Sequence, residues 1–156
     1  VEKYELNGVF LWPAPGYTRI TSGFGYRVAP ASGASTYHSG IDIPAPTGTN
    51  IFSIDSGTIL FTGFYGADGF SIIIENNDIQ VIYAHVSPNF IVKKNQKIFK
   101  GEKIGEVGPM YFDTPENTKY FDSNGKKTNG ALTGPHLHLT IKKDGTAINP
   151  LDYLGF

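Results

Sequence analysis

The chain has 156 residues, 40% of them hydrophobic and 13% aromatic, which is enough apolar surface for one domain with a sizeable core and too little length for two. Its formal charge is −1 with 17% charged residues, so it presents no cationic field to phosphate backbones or acidic membrane surfaces, and nucleic acid is not an expected partner. It contains no cysteine, which excludes disulfides, thiolate metal sites and a cysteine nucleophile and leaves His, Asp and Glu as its strong transition-metal ligands.

No apolar run reaches the roughly 18 residues of a membrane-spanning helix, and no cationic stretch precedes an apolar one, so neither a span nor a signal peptide is expected in this sequence. Nineteen glycines and ten prolines are scattered between short runs of Ile, Val, Phe, Tyr and Thr. That pattern predicts strands joined by turns, an all-β single domain over residues 1–156.

In chain order, Trp12-Pro13-Ala14-Pro15-Gly16 is a stiff entry, and Ile20 to Arg27 reads as a short strand with a glycine at alternate positions. A loop from Val28 to Tyr37 delivers His38-Ser39-Gly40-Ile41-Asp42. Fully extended, this segment would hold the Cα atoms of His38 and Asp42 about 13 Å apart. Two ligands of one metal need their donor atoms within roughly 3.5 Å. Gly40, Pro44 and Pro46 argue against a helix, so a bend at Ser39-Gly40 is expected.

Asn50–Ile54 and Gly57–Gly63 read as paired strands around Asp55-Ser56-Gly57. Phe70–Glu75 and Ile79–Ala84 form a second such pair, and the second strand runs straight into His85. Between Ile91 and Gly105 five lysines alternate irregularly with apolar residues, the pattern of a solvated sheet edge rather than a binding patch. Residues 109–132 form a loop that is long for so small a domain, a feature that points to function or disorder.

That loop ends at Gly134-Pro135-His136-Leu137-His138-Leu139-Thr140-Ile141. In a strand, residues i and i+2 face one side with Cα atoms roughly 6.5 Å apart, so His136 and His138 share one space. A hairpin through Asp144-Gly145 closes the chain.

All four histidines therefore lie in three short segments. Singly, each has an ordinary explanation: a turn or core histidine, a structural strand pair, a turn-capping Asp42. Jointly they supply what a mononuclear zinc hydrolase needs, namely three N/O ligands, an open position for water and a separate base. Spacing alone does not decide which of His136 and His138 binds metal. The sequence has no His-Glu-x-x-His, no Gly-x-Ser-x-Gly and no phosphate-binding Gly-x-x-x-x-Gly-Lys.

His38-x-x-x-Asp42, Tyr83-Ala84-His85-Val86-Ser87 and Gly134-Pro135-His136-Leu137-His138 resemble the three signature motifs of the lysostaphin-type (LytM-like) zinc metallopeptidases, which cut peptidoglycan peptides. The similarity runs from Thr21 to Leu154. It implies a mainly antiparallel β fold with a two-sheet core and a substrate groove across one sheet. It further implies one Zn²⁺ per chain on His38, Asp42 and His138, with His136 and His85 as catalytic residues beside the attacking water. The implied activity is an endopeptidase acting on peptidoglycan stem peptides or cross-bridges, extracellular or associated with the cell wall.

A catalytically silent binding domain of the same fold would typically have lost a ligand, and here every one is present. A metal-free sugar-binding module could stack on Tyr65, Phe70 and Tyr111 but would not need the histidines. The sequence departs from the family in its long 109–132 segment and in a loop, Ala31 to Thr36, that lacks the upstream Tyr some members carry.

Overall fold

The computed structural model of the chain describes residues 10–26, 37–108 and 134–155. Its strands are β1 (Gly25–Tyr26), β2 (Tyr37–His38), β3 (Ile41–Pro44), β4 (Asn50–Phe52), β5 (Gly57–Phe64), β6 (Phe70–Asn76), β7 (Ile79–Ala84), β8 (Lys97–Ile98), β9 (Lys103–Glu106), β10 (His136–Lys143) and β11 (Thr146–Ile148). A seven-stranded antiparallel sheet runs β11-β10-β7-β6-β5-β8. The edge of β10 away from β7 is shared: β3 occupies it from His136 to Leu139 and β11 from Ile141 to Lys143. Two ribbons, β1-β2 and β4-β9, complete the fold, which is all-β and mainly antiparallel as expected.

Period-2 alternation decides which face is buried. In β10, Leu137, Leu139 and Ile141 are fully buried on one face, while His136, His138, Thr140 and Lys142 share the other. Ile41 and Ile43 of β3 and Val81 and Tyr83 of β7 continue the apolar face through the register. Ile51 of β4, Ile104 of β9, and Phe10, Trp12 and Ala14 of the entry segment join the same core cluster. Each fully buried Ile or Leu contributes about 1.5–3 kcal/mol. Packing there is close: a Cβ on Gly105 of β9 would stand 3.2 Å from Ile72 Cδ1 of β6.

Two predicted hairpins are present. β6 and β7 turn through Asn77 (φ 55°) and Asp78, and β10 and β11 through Asp144 (φ 50°) and Gly145 (φ 80°), the left-handed conformations that two-residue hairpin loops require. The bend between His38 and Asp42 falls at Ser39-Gly40 as expected. The lysine-rich stretch contributes β8 at the edge of the large sheet.

The pairing expected across Asp55-Ser56-Gly57 does not form. β4 pairs β9, whereas β5 pairs β6 and β8. Between β4 and β5 the chain crosses from ribbon to sheet, and its backbone groups bond elsewhere: Ser53 N–H to Glu102 O, Ile54 N–H to Tyr83 Oη, and Ile54 O from Leu11 N–H. The strand expected over Ile20 to Arg27 is shorter as well. Among the described residues of that span only Gly25 and Tyr26 extend in β1, while Ser22 bridges Asp42 at the outer edge of β3. The segment 109–132 and the loop 31–36 lie outside the described residues.

Candidate metal centre

Adjacent strands deliver the residues of the site to one sheet face. In the β10–β3 ladder His138 stands opposite Asp42 and His136 opposite Pro44. His38 comes from β2, and Gly40 is what allows the chain to fold so sharply between it and Asp42. A Cβ on Gly40 would lie 2.1 Å from Leu139 O and 2.8 Å from Thr140 Oγ1, so no other residue fits there.

Three donor atoms converge. His38 Nε2 is 3.1 Å from His138 Nδ1 and 3.3 Å from Asp42 Oδ1, and His138 Nδ1 is 3.1 Å from Asp42 Oδ1. Ligands about 2 Å from one tetrahedral ion sit roughly 3.3 Å apart. The spacing therefore fits a single small cation. His38 and Asp42 are buried and His138 is half-buried.

Hydrogen-bond partners fix the tautomers. His38 Nδ1 lies 3.0 Å from Gly23 O, an acceptor only, so Nδ1 carries the proton and Nε2 turns its lone pair to the cluster. His138 Nε2 is 3.0 Å from Thr140 Oγ1, which leaves Nδ1 as the inward lone pair when Thr140 accepts. Two nitrogen lone pairs and a carboxylate oxygen facing one another would repel without a cation between them. Burial alone would raise the Asp42 carboxyl. The imidazoles of His138, His38 and His136 that surround it outweigh burial and hold it below the usual carboxylate range.

His136 is differently placed. Its Nδ1 donates to Gly134 O at 2.8 Å, so the lone pair is on Nε2, which faces Asp42 Oδ1 at 3.5 Å. Burial pushes its pKa below the ordinary value, partly offset by Asp42 and Gly134, and keeps the ring neutral. The His85 ring stacks edge-on at 4.9 Å from His136 and 6.1 Å from His138. His85 follows β7 at φ 60°, a left-handed backbone uncommon for a side chain of this size. Two backbone bonds hold it: His85 N–H donates to Asp68 O at 2.9 Å, and His85 O accepts from Gly108 N–H at 3.0 Å.

All five residues singled out in the sequence therefore meet at one site. Sequence reading missed Thr140, although it stands two residues beyond His138 in the same strand and strand periodicity alone puts it on the same face. It also missed Gly23 and Gly134, whose carbonyls orient His38 and His136. A backbone acceptor leaves no mark in residue type.

An all-β sheet with an Asp, two His and two further His on one face defines a metallohydrolase-type site. The chain belongs to peptidase family M23, whose family model matches residues 36–150. It is 35% identical over 136 residues to the DD-carboxypeptidase/endopeptidase Mpg of Neisseria meningitidis, covering 86% of this chain and 27% of that protein. Among solved structures it is similar to a zinc-containing peptidase from Vibrio cholerae, with TM-score 0.69 and 28% identity over 90% of this chain and 39% of that one. Helicobacter pylori Csd3 gives TM-score 0.69 and 31% identity over 96% of this chain and 36% of that one. The chain thus spans about a quarter of the length of the curated relative and somewhat over a third of those solved chains. Among the described residues no helix is long and apolar enough to cross a membrane.

Proposed function

We propose that this chain is a catalytic domain that hydrolyses peptide bonds in bacterial peptidoglycan, with one Zn²⁺ held by His38, Asp42 and His138. The observation that carries the reading is the convergence of His38 Nε2, Asp42 Oδ1 and His138 Nδ1 beside a separate histidine whose Nε2 lone pair faces the same point. Zinc bound there supplies Lewis acidity toward a peptide carbonyl and lowers the pKa of water.

The remaining work falls to the chain's own residues. His136 Nε2 takes the proton of the attacking water, its tautomer fixed by Gly134 O. His85 donates to the oxyanion that develops on the scissile carbonyl and is held in place by its two backbone bonds. No Glu is needed as base, because burial keeps His136 neutral. A silent binding domain would have no use for a complete ligand set with an oriented base. The site of action is outside the cytoplasm, where peptidoglycan lies, and the segment 109–132 helps select which crosslink is accepted.

Elemental analysis and turnover of cell-wall peptides test the assignment together. The wild type should carry one zinc per chain. His38→Ala, Asp42→Ala and His138→Ala should lose it, while His136→Ala and His85→Ala should keep it and lose about 10²–10⁴-fold in kcat. Full zinc in all three ligand variants sinks the metal assignment, and near wild-type turnover in either of the other two makes that histidine structural.

A further inference from the structure

The net charge of −1 hides a segregated one. Residues 91–101 hold four lysines and no Asp or Glu, in a chain with 13 basic residues. Lys93, Lys94, Lys97 and Lys100 are all exposed. Among them stand Phe99, 75% exposed, and Ile91, 57% exposed, the two most exposed large hydrophobic side chains of the described residues.

The strip is fastened to the fold at both ends. β8 closes one side of the seven-stranded sheet, and among the described residues no strand pairs with its outer edge. Before it, the turn at 93–96 closes through Gln96 N–H to Lys93 O at 3.0 Å and is tied to β5 by Asn95 N–H to Ile59 O and Ile59 N–H to Gln96 O, both 2.8 Å. After it, the turn at 99–102 closes through Glu102 N–H to Phe99 O at 2.9 Å and is tied down by Gly101 N–H to Ser53 O at 2.9 Å. Glu102, the next acid in sequence, accepts the Phe99 amide at 3.0 Å, so its carboxylate is engaged at the backbone. Ile98 is buried, and strand alternation therefore sends Lys97 and Phe99 outward together.

Lysines alone are a common way to blunt an open sheet edge. They do not account for an aromatic ring and an isoleucine held out in water beside them. A lipid interface takes apolar side chains and cations together and asks for no matching shape. We propose that this edge docks the domain on an anionic phospholipid bilayer, with Phe99 and Ile91 entering the headgroup region and Lys93, Lys94 and Lys97 meeting lipid phosphates. β10 lies four strand spacings from β8, roughly 19 Å across the sheet. Docking at this edge leaves the metal centre uncovered, and it does not depend on the hydrolysis.

Vesicle flotation of the zinc-loaded chain tests the dock. The chain should bind an equimolar mixture of phosphatidylglycerol and phosphatidylcholine but not phosphatidylcholine alone, and more weakly as salt rises. Lys93→Gln, Lys94→Gln and Lys97→Gln should each weaken binding about fivefold, and Phe99→Ser roughly tenfold. Lys143→Gln, in β10, should leave it unchanged, which separates the edge from net charge. Phe99→Trp should keep binding and shift its emission to the blue on the mixed vesicles alone. Melting temperatures near the wild-type value report that each variant is folded. Equal binding to the two vesicles, no binding to the mixed ones, or binding that survives neutralisation of all three lysines overturns the proposal. Soluble poly-glutamate that binds as tightly as the mixed vesicles, with no loss in Phe99→Ser, overturns it too and makes the edge a dock for an acidic protein segment.

Discussion

Thr140 Oγ1 is the partner of His138 Nε2, and Gly23 and Gly134 carbonyls are the partners of His38 and His136. Each such contact sets which ring nitrogen carries the proton, so the lone pairs turned toward the cluster depend on atoms outside it. Thr140→Val keeps the shape of the side chain and removes the acceptor. Zinc affinity should fall about 10–100-fold by competition with a chromogenic chelator, and Thr140→Ser should restore it. Unchanged affinity in Thr140→Val would show that His138 is oriented by packing alone. At this scale the sequence was most legible in residue type and least legible in ring atoms. His38, His85, His136, His138 and Asp42 stand out because few residues do metal chemistry, but the choice between His136 and His138 needs the side-chain geometry. His138 is close to both other donors, whereas His136 stands 3.5 Å from Asp42 with its second nitrogen tied to a carbonyl.

β10 is the element on which both chemistry and core depend, since its two faces alternate between the site and fully buried Leu137, Leu139 and Ile141. Leu139→Ala should cost about 2–5 kcal/mol by chemical denaturation. Beside it in the sheet, Tyr83 of β7 is fully buried, and its hydroxyl accepts the Ile54 amide at the point where the chain crosses from ribbon to sheet. Burial raises its pKa and keeps it neutral. Tyr83→Phe leaves that amide without its partner and should cost about 1–3 kcal/mol, read as a lower denaturation midpoint at constant slope. A loss under about 0.3 kcal/mol would mean the crossing tolerates an open amide. Hairpins closed by Asn77-Asp78 and Asp144-Gly145 were legible because turn chemistry is local. The β4–β9 pairing was not, because its partners are some fifty residues apart and the short apolar run Ile51-Phe52 is compatible with several neighbours.

For the whole molecule, the donors from His38 and His138 meet across 100 residues of sequence, in a chain with no cysteine to tie them. A ligand that binds only the folded state adds stability by mass action, about 2.7 kcal/mol at 100 times its Kd. Chelation should therefore lower Tm on the order of 5–10 °C for a domain of this length, with recovery on adding zinc, followed by scanning calorimetry. An unchanged Tm would show that the site is held open by the sheet without help from the ion. Replacing residues 109–132 by a short Gly-rich turn should leave zinc content intact and change KM or the bond that is cut. Unchanged kcat/KM and unchanged products on the native wall substrate would make the segment irrelevant to selection.

Gly108 before this segment and Gly134, just past Thr133 at its end, are each fastened to a histidine of the site: Gly108 N–H to His85 O, and Gly134 O to His136 Nδ1. Whatever chain is spliced between such posts must leave and re-enter beside the reacting groups. Lengthening a closed loop costs only about 0.6 kcal/mol per doubling. The architecture thus offers a place where the chain can vary by insertion and deletion while His85 and His136 keep their positions.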